Sequence, residues 1–205
     1  TTINGKIRGG CHVCLPKFGP DASGNLAQHG FGRTAEWELL RDEPGTKELA
    51  MLPAEGMYEG LQAVLRDNYG HEVSGNGERT WPHLTMHLAL GNTGGEPLRV
   101  APAFHPYFAV GEDDEVRLNG ELLTLSEYAG TKEVRGATQE LEIGGRLFRL
   151  QSDELTQWAL WTDQAGGYFC VEPTLAGASF QQEVPATGEL LLSGEQRTYE
   201  FRIYW

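Results

Sequence analysis

The chain has 205 residues, of which 40% are hydrophobic and 22% are charged. This size and balance are typical of one folded domain and exclude a disordered or fibrous protein. A formal net charge of −13 argues against a broad basic surface for nucleic acid or anionic lipid. The sequence also contains no run of about 18 apolar residues, which a membrane-spanning helix requires. We therefore expect neither a nucleic-acid partner nor a membrane partner.

The first 33 residues differ in charge from the rest of the chain. They contain four basic residues and one acidic residue, whereas the remainder contains 12 basic and 28 acidic residues. This segment is the part of an acidic protein that could favour an anion, and a small phosphorylated ligand fits better than a polymer. Compositional scatter with ordinary surface ion pairs explains the same charge equally well.

Three cysteines, Cys11, Cys14 and Cys170, are too few for a disulfide framework and are typical of a reducing compartment. We therefore predict a cytoplasmic location. Cys11 and Cys14 form a C-x-x-C pattern, but no second ligand pair and no helix accompanies it. We interpret both as small buried apolar residues on an extended segment, and we expect no metal and no other cofactor.

The rest of the chain has the pattern of a many-stranded β protein. Its 27 glycines and 10 prolines are spread throughout, with short apolar alternations between them. Residues 59–68 are the exception and are predicted to form a short helix. In residues 81–90, Leu84, Met86, Leu88 and Leu90 share one face at period two. Further strands are predicted at 98–110, 140–150 (with a Gly144-Gly145 turn), 157–161, 167–172, 189–192 and 199–205. This pattern indicates an all-β sandwich in a single domain covering residues 1–205.

Two polar residues in apolar contexts are candidates for proton transfer. His105 lies in an aromatic and proline-rich stretch, where partial burial can hold an imidazole neutral near pH 7. Glu172 ends a strand beside Cys170 and Val171, a setting that favours a raised carboxyl pKa. The alternatives are a core histidine bonded to a backbone carbonyl and an exposed strand-end charge. Phosphate loops, dinucleotide fingerprints, nucleophile elbows and H-E-x-x-H motifs are absent from the sequence.

Several short motifs, in this order, resemble the aldose 1-epimerase (mutarotase) family, and in particular its hexose-6-phosphate 1-epimerase branch. They are Arg8-Gly9-Gly10, Cys14-Leu15-Pro16-Lys17-Phe18-Gly19, Gln28-His29-Gly30-Phe31-Gly32-Arg33 with Glu36-Trp37-Glu38, Ala103-Phe104-His105-Pro106-Tyr107-Phe108 and Cys170-Val171-Glu172-Pro173. The resemblance covers nearly the whole chain. It departs from the family pattern at Cys11-His12 and at Gly130, where the family often has an acidic residue, with Glu127 and Glu133 nearby.

The resemblance implies a galactose-mutarotase-like β-sandwich, apparently shortened at its N-terminus, with a cleft on one sheet face and no cofactor. It implies interconversion of the α and β anomers of a hexose 6-phosphate by ring opening and closing. Glu172 is then the base at O1 and His105 the acid at the ring oxygen O5. Gln28 and His29 contact the sugar, while Arg8 and Arg33 hold the 6-phosphate through guanidinium forks. The expected partner is a small-molecule sugar phosphate, and the expected state is a monomer.

Two other functions fit the same motifs. The chain could be a non-catalytic module that binds a carbohydrate or sugar phosphate, or an epimerase for free aldoses. Retention of both His105 and Glu172 favours an enzyme over a binding module, since binding alone requires no acid–base pair. Arg8 and Arg33 favour a phosphorylated sugar over a free one.

Overall fold

A computed structural model describes residues 2–3, 6–19, 26–52, 56–73, 80–163, 167–177 and 188–205. Within these residues the chain forms 18 strands and two short 3-10 helices, Gly56–Tyr58 and Leu125–Tyr128. No helix in the described residues is both long and apolar enough to cross a membrane.

The strands form two large antiparallel sheets and two small ribbons, and we number the strands in chain order. The larger sheet has nine strands in the order β11 (Glu121–Leu122), β10 (Val116–Leu118), β13 (Thr138–Ile143), β14 (Arg146–Gln151), β18 (Gln196–Tyr204), β7 (Thr80–Asn92), β6 (Leu61–Val73), β5 (Thr46–Met51), β4 (Trp37–Glu43). The second has five strands in the order β12 (Lys132–Arg135), β15 (Gln157–Trp161), β16 (Tyr168–Thr174), β9 (Ala103–Ala109), β3 (Cys11–Cys14). The ribbons pair β1 (Thr2–Ile3) with β2 (Lys6–Ile7), and β8 (Leu98–Val100) with β17 (Glu189–Leu191).

The hydrophobic core lies between the two large sheets. Phe201 of the nine-stranded sheet packs against Phe104 and Trp158 of the five-stranded sheet, with ring centroids 5.6 and 6.0 Å apart. Phe108 and Phe148 make a further contact between the sheets at 5.3 Å. Burial of such large rings is the main favourable term in folding, and it holds the sheets face to face. The predicted all-β sandwich is confirmed.

The predicted alternation in β7 is also confirmed, but two sequence predictions are wrong. Residues 59–68 are not helical: most of them belong to β6, where Leu61, Ala63 and Leu65 are buried and the residues between them are more exposed. The pairing of β6 with β7 over 13 residue pairs outweighs the local helix propensity. Residues 98–110 are not one strand either, because β8 pairs with β17 whereas β9 joins the five-stranded sheet.

The five-stranded sheet has one apolar face and one polar face. In β9, Phe104 and Phe108 enter the core, and in β16, Phe169 and Val171 do the same. Because side chains alternate across a strand, His105 and Glu172 lie on the opposite face. Cys11 and Cys14 are three residues apart on β3, so their thiols lie on opposite faces of the sheet. Both thiols are free.

Candidate active site

His105 and Glu172 meet because of the register of two neighbouring strands. Cys170 pairs with Tyr107 and Thr174 pairs with Ala103, which brings Glu172 level with His105. His105 Nε2 lies 3.4 Å from Glu172 Oε2, and the two side chains are 3% and 2% exposed. The histidine and the carboxyl are therefore in contact in a site that is almost free of solvent.

Burial drives both groups toward their neutral forms. It raises the pKa of Glu172 well above its usual range, because a carboxylate loses its hydration there. Burial also lowers the pKa of His105. Positive charge on His12 or His29 would lower it further, because like charges repel. Burial therefore favours a carboxylic acid beside a neutral imidazole as the resting form of the pair.

His12 and His29 form a cluster of three imidazoles together with His105. The ring centroids of His12 and His29 lie 4.5 and 4.9 Å from that of His105. Burial, together with the charge of Arg33, lowers the pKa of His12 to about 4 and that of His29 to about 3. Both are neutral near pH 7. Sequence reasoning missed His12, whose position is set by pairing of β3 with β9 directly opposite His105.

The loop before β4 places His29 in this cluster through backbone contacts with residues 15–18. His29 donates its backbone N–H to the Phe18 carbonyl at 2.8 Å, and Phe31 donates to the Leu15 carbonyl at 2.7 Å. Gly30 has φ +62°, and a Cβ added there would lie 1.8 Å from the Leu15 oxygen. Glycine is therefore required at this position for close approach of the two segments. The His29 ring is held further by Cys14, whose Sγ lies 3.5 Å from Nδ1.

The two arginines of the cleft differ in their surroundings. Arg8 lies against the faces of Trp161 and Tyr168, hydrogen-bonds the Tyr107 hydroxyl at 3.4 Å, and pairs with Asp163 at 3.5 Å. Arg33 is exposed and makes no ion pair with any residue that the structure describes. After burial, its positive charge is the next contribution that lowers the pKa of His12 and of His29. Among the residues that the structure describes, Arg33 is therefore the cation lining the cavity whose charge is least compensated.

A single cavity of about 190 Å³ brings all six predicted site residues together. It is lined by Arg8, Gln28, His29, Arg33, His105 and Glu172, and also by Phe18, Thr131 and Trp161. Sequence reasoning missed the last three as lining residues. The volume is below the roughly 300–1,000 Å³ of a typical drug-sized site, so it suits a small polar molecule. Two larger cavities, of about 520 and 640 Å³, lie elsewhere, but the buried acid–base pair faces neither of them.

The segment around Gly130 contributes a hydroxyl rather than an acid to the cavity. Thr131 lines it, whereas Glu127 is exposed and pairs with Lys132 at 2.8 Å. Glu133 is level with Glu172 across β15 but is not among the lining residues. Glu172 is thus the carboxyl that reaches the described cavity.

With respect to metal ions, His105, Cys170 and Glu172 each offer a ligand atom, and these atoms lie within 4.8 Å of one another.

The chain is similar in sequence to proteins named as epimerases, and in fold to mutarotase-like proteins. The family model for aldose 1-epimerase matches residues 3–165. A protein of Cenchrus ciliaris named "Putative glucose-6-phosphate 1-epimerase" is 34% identical over 131 residues, and a protein of the same name from Escherichia coli (strain K12) is 32% identical over 124 residues. Each match covers 56% of this chain and 36% of the relative, so the aligned part spans about a third of the relatives' length.

The fold comparison agrees with the sequence match. A galactose mutarotase-like protein from Lactobacillus casei superposes with a TM-score of 0.71 at 14% identity, covering 94% of this chain and 84% of that structure. Likeness at this identity shows a shared fold. The match of the family model to residues 3–165 goes further, and it establishes that the chain belongs to the aldose 1-epimerase family.

Proposed function

We propose that this protein interconverts the α and β anomers of a hexose 6-phosphate. The observation that carries the proposal is the buried contact between His105 and Glu172, which opens into a cavity with Arg33 on its wall. Ring opening of a sugar requires removal of a proton from O1 and delivery of a proton to O5. A neutral pair in which Glu172 carries the mobile proton can supply both transfers without a net change in charge.

Two proton transfers between the pair and the sugar open the ring. The proton of Glu172 first moves to His105 Nε2, which is 3.4 Å away, and leaves a carboxylate beside an imidazolium. The carboxylate then takes the O1 proton as the C1–O5 bond breaks, and the imidazolium protonates O5. The aldehyde forms, C1 rotates about the C1–C2 bond, and the same steps run backwards to close the ring on the other face. After ring opening the pair is back in its favoured neutral form.

Substrate choice in this proposal depends mainly on Arg33. A phosphate group is best held by a guanidinium whose charge is not already compensated, and Asp163 compensates part of the charge of Arg8. Gln28 and His29 would contact the sugar hydroxyls, since both line the cavity.

We further propose that the enzyme is a cytoplasmic monomer. Cys11, Cys14 and Cys170 are free thiols, which supports a location in a reducing compartment.

The direct test of catalysis is magnetisation-exchange NMR between the two anomers of glucose 6-phosphate. Exchange with the protein should exceed the spontaneous rate, and glucose should be a poorer substrate than its 6-phosphate. Exchange at the spontaneous rate, with sugar signals that still broaden on binding, would instead assign a binding module.

The direct test of specificity is Arg33→Ala, with Arg146→Ala as a matched control because Arg146 is an exposed arginine on β14 that does not line the cavity. Loss of a charge-assisted contact should weaken the apparent affinity for the phosphorylated sugar by about 1.5–3 kcal/mol, or roughly 10- to 150-fold. The affinity for free glucose should change little. Equal losses for both sugars would contradict the phosphate-binding role and favour an epimerase for free aldoses.

A further inference from the structure

Cys170 lies beside the buried acid–base pair, on the same face of the five-stranded sheet. Cys170 and Glu172 are two residues apart on β16, so both side chains lie on the face that carries His105 of β9. All three side chains are buried, and one ligand atom from each lies within 4.8 Å of the others. Imidazole, thiol and carboxyl together are a donor set that zinc commonly takes in proteins.

The spacing of two of these donors already matches a tetrahedral ion. With Zn–N and Zn–O bonds of about 2.0–2.2 Å, two ligands at a tetrahedral angle are roughly 3.3–3.5 Å apart. His105 Nε2 and Glu172 Oε2 are separated by 3.4 Å. With a Zn–S bond of about 2.3 Å, the Cys170 sulfur would lie roughly 3.5 Å from these two atoms. It now lies within 4.8 Å of both, so a small side-chain movement is enough.

Glu172 Oε2 lies 3.4 Å from His105 Nε2, but it still has room for a hydrogen bond or a metal ion. Oε2 is buried and forms no hydrogen bond with any described part of the chain. A buried carboxyl oxygen without a hydrogen-bond partner is uncommon, and a bound ligand or ion would explain it. The cavity reaches both His105 and Glu172, so a fourth position on an ion held there would open to solvent, as it does in three-ligand zinc sites.

The geometry points to a binding site for Zn²⁺, or for a divalent ion of similar size and softness, formed by His105, Cys170 and Glu172. Binding displaces the protons of Cys170 and Glu172, and the two anionic ligands then balance the charge of the ion. The positive charges of Arg8 and Arg33 at the same cleft oppose a cation, so affinity should fall below that of structural zinc sites. If the proposed function holds, the ion blocks it, because it occupies the lone pairs that move protons.

Cobalt is the probe for the experiment, because Co²⁺ takes zinc sites and a Co²⁺–thiolate bond absorbs in the near ultraviolet. The full chain is titrated with Co²⁺ in the absence of sugar, and Zn²⁺ is then added to displace it. We expect one equivalent per chain with a thiolate band that Zn²⁺ removes. Cys170→Ala should abolish the band, whereas Cys11→Ala should keep it, since the Cys11 thiol lies on the opposite face of the sheet.

Glu172→Gln provides a second variant of nearly unchanged shape, in case Cys170→Ala does not fold. Loss of even a second-shell partner costs roughly 10–100-fold in metal affinity, so loss of this ligand should weaken Zn²⁺ binding by about 100-fold or more. Absence of stoichiometric binding to the wild type, or a band removed by Cys14→Ala rather than Cys170→Ala, would overturn the site. Metal binding by a chain without epimerase activity would overturn the proposed function and leave this site standing.

Discussion

The two large sheets each pair a histidine with a glutamate, and the two pairs differ mainly in burial. On the nine-stranded sheet, His87 Nδ1 lies 2.9 Å from Glu200 Oε2, and the side chains are 34% and 22% exposed. On the five-stranded sheet, His105 and Glu172 are 3.4 Å apart and only 3% and 2% exposed. In both cases the partners are level on neighbouring antiparallel strands.

A histidine beside a glutamate does not by itself make a candidate acid–base site. Water reaches the His87–Glu200 pair, so its interaction is screened and contributes little. At His105 and Glu172 the lost hydration penalises charge on either group, so burial favours the neutral form of both. A cavity with converging polar groups adjoins the buried pair. Burial next to a cavity is therefore what separates a candidate catalytic pair from a surface pair.

The strongest test of the comparison removes the carboxyl from each pair in turn. Glu172→Gln keeps the shape of the side chain but cannot take a proton from O1, so the anomer exchange rate should fall by about 10²–10⁴-fold, the usual contribution of general acid–base catalysis. Glu200→Gln should leave the rate unchanged. The rates are measured by the same magnetisation-exchange experiment. A similar fall in both variants, or in neither, would remove the distinction between the pairs.

A second test concerns the loop that supports the buried pair. Gly30→Ala should destabilise the protein, because left-handed backbone costs a non-glycine residue about 1–3 kcal/mol and the new Cβ would collide with the Leu15 oxygen. Displacement of the loop would also move His29 from His105 and slow exchange in the folded fraction. Gly95→Ala is the control, since an added Cβ there meets nothing within 4 Å. Its unfolding free energy should stay within about 0.5 kcal/mol of the wild type in urea titrations. Equal stabilities for the two variants would show that the loop tolerates a side chain.

How much the sequence could predict differs between local and long-range features. The alternation in β7 reflects one buried face and is visible without the structure. The residues of β6 include good helix formers, and only pairing with β7 makes them a strand. β4 was not predicted, because nearly all of its side chains are exposed and no alternation marks it.

The site shows the same division. The six residues that line one cavity were predicted from motifs, and their catalytic and binding roles stay predictions. His12 was missed because its contact with His105 depends on the register between β3 and β9, which are more than 80 residues apart in the chain. Trp161 and Thr131 were missed for a similar reason. Each reaches the cavity through the arrangement of the five-stranded sheet, which no local pattern records.

The smallest expected effect is a change in how stability depends on pH, and it isolates the burial of Glu172. The folded-state pKa of this carboxyl is raised, so above the unfolded value near 4.5 the unfolded chain releases a proton that the folded chain keeps. The free energy of unfolding of the wild type therefore falls as pH rises from about 4.5 through the folded-state pKa. Glu172→Gln lacks this loss, so its Tm should rise relative to the wild type over the same range. Each unit by which the pKa is raised adds about 1.4 kcal/mol.

The measurement is a series of thermal unfolding curves for the two proteins from pH 4.5 upward. For a chain of this size about 1 kcal/mol corresponds to roughly 2–4 °C in Tm. The lowered pKa of His105 acts in the opposite direction, because stability is lost as pH falls below its usual value near 6.5. That contribution is present in both proteins, so it cancels in the difference between their Tm values. A difference that stays constant with pH would mean that the Glu172 carboxyl is as well solvated in the folded protein as in the unfolded chain, and the contrast with the exposed pair would then have no electrostatic basis.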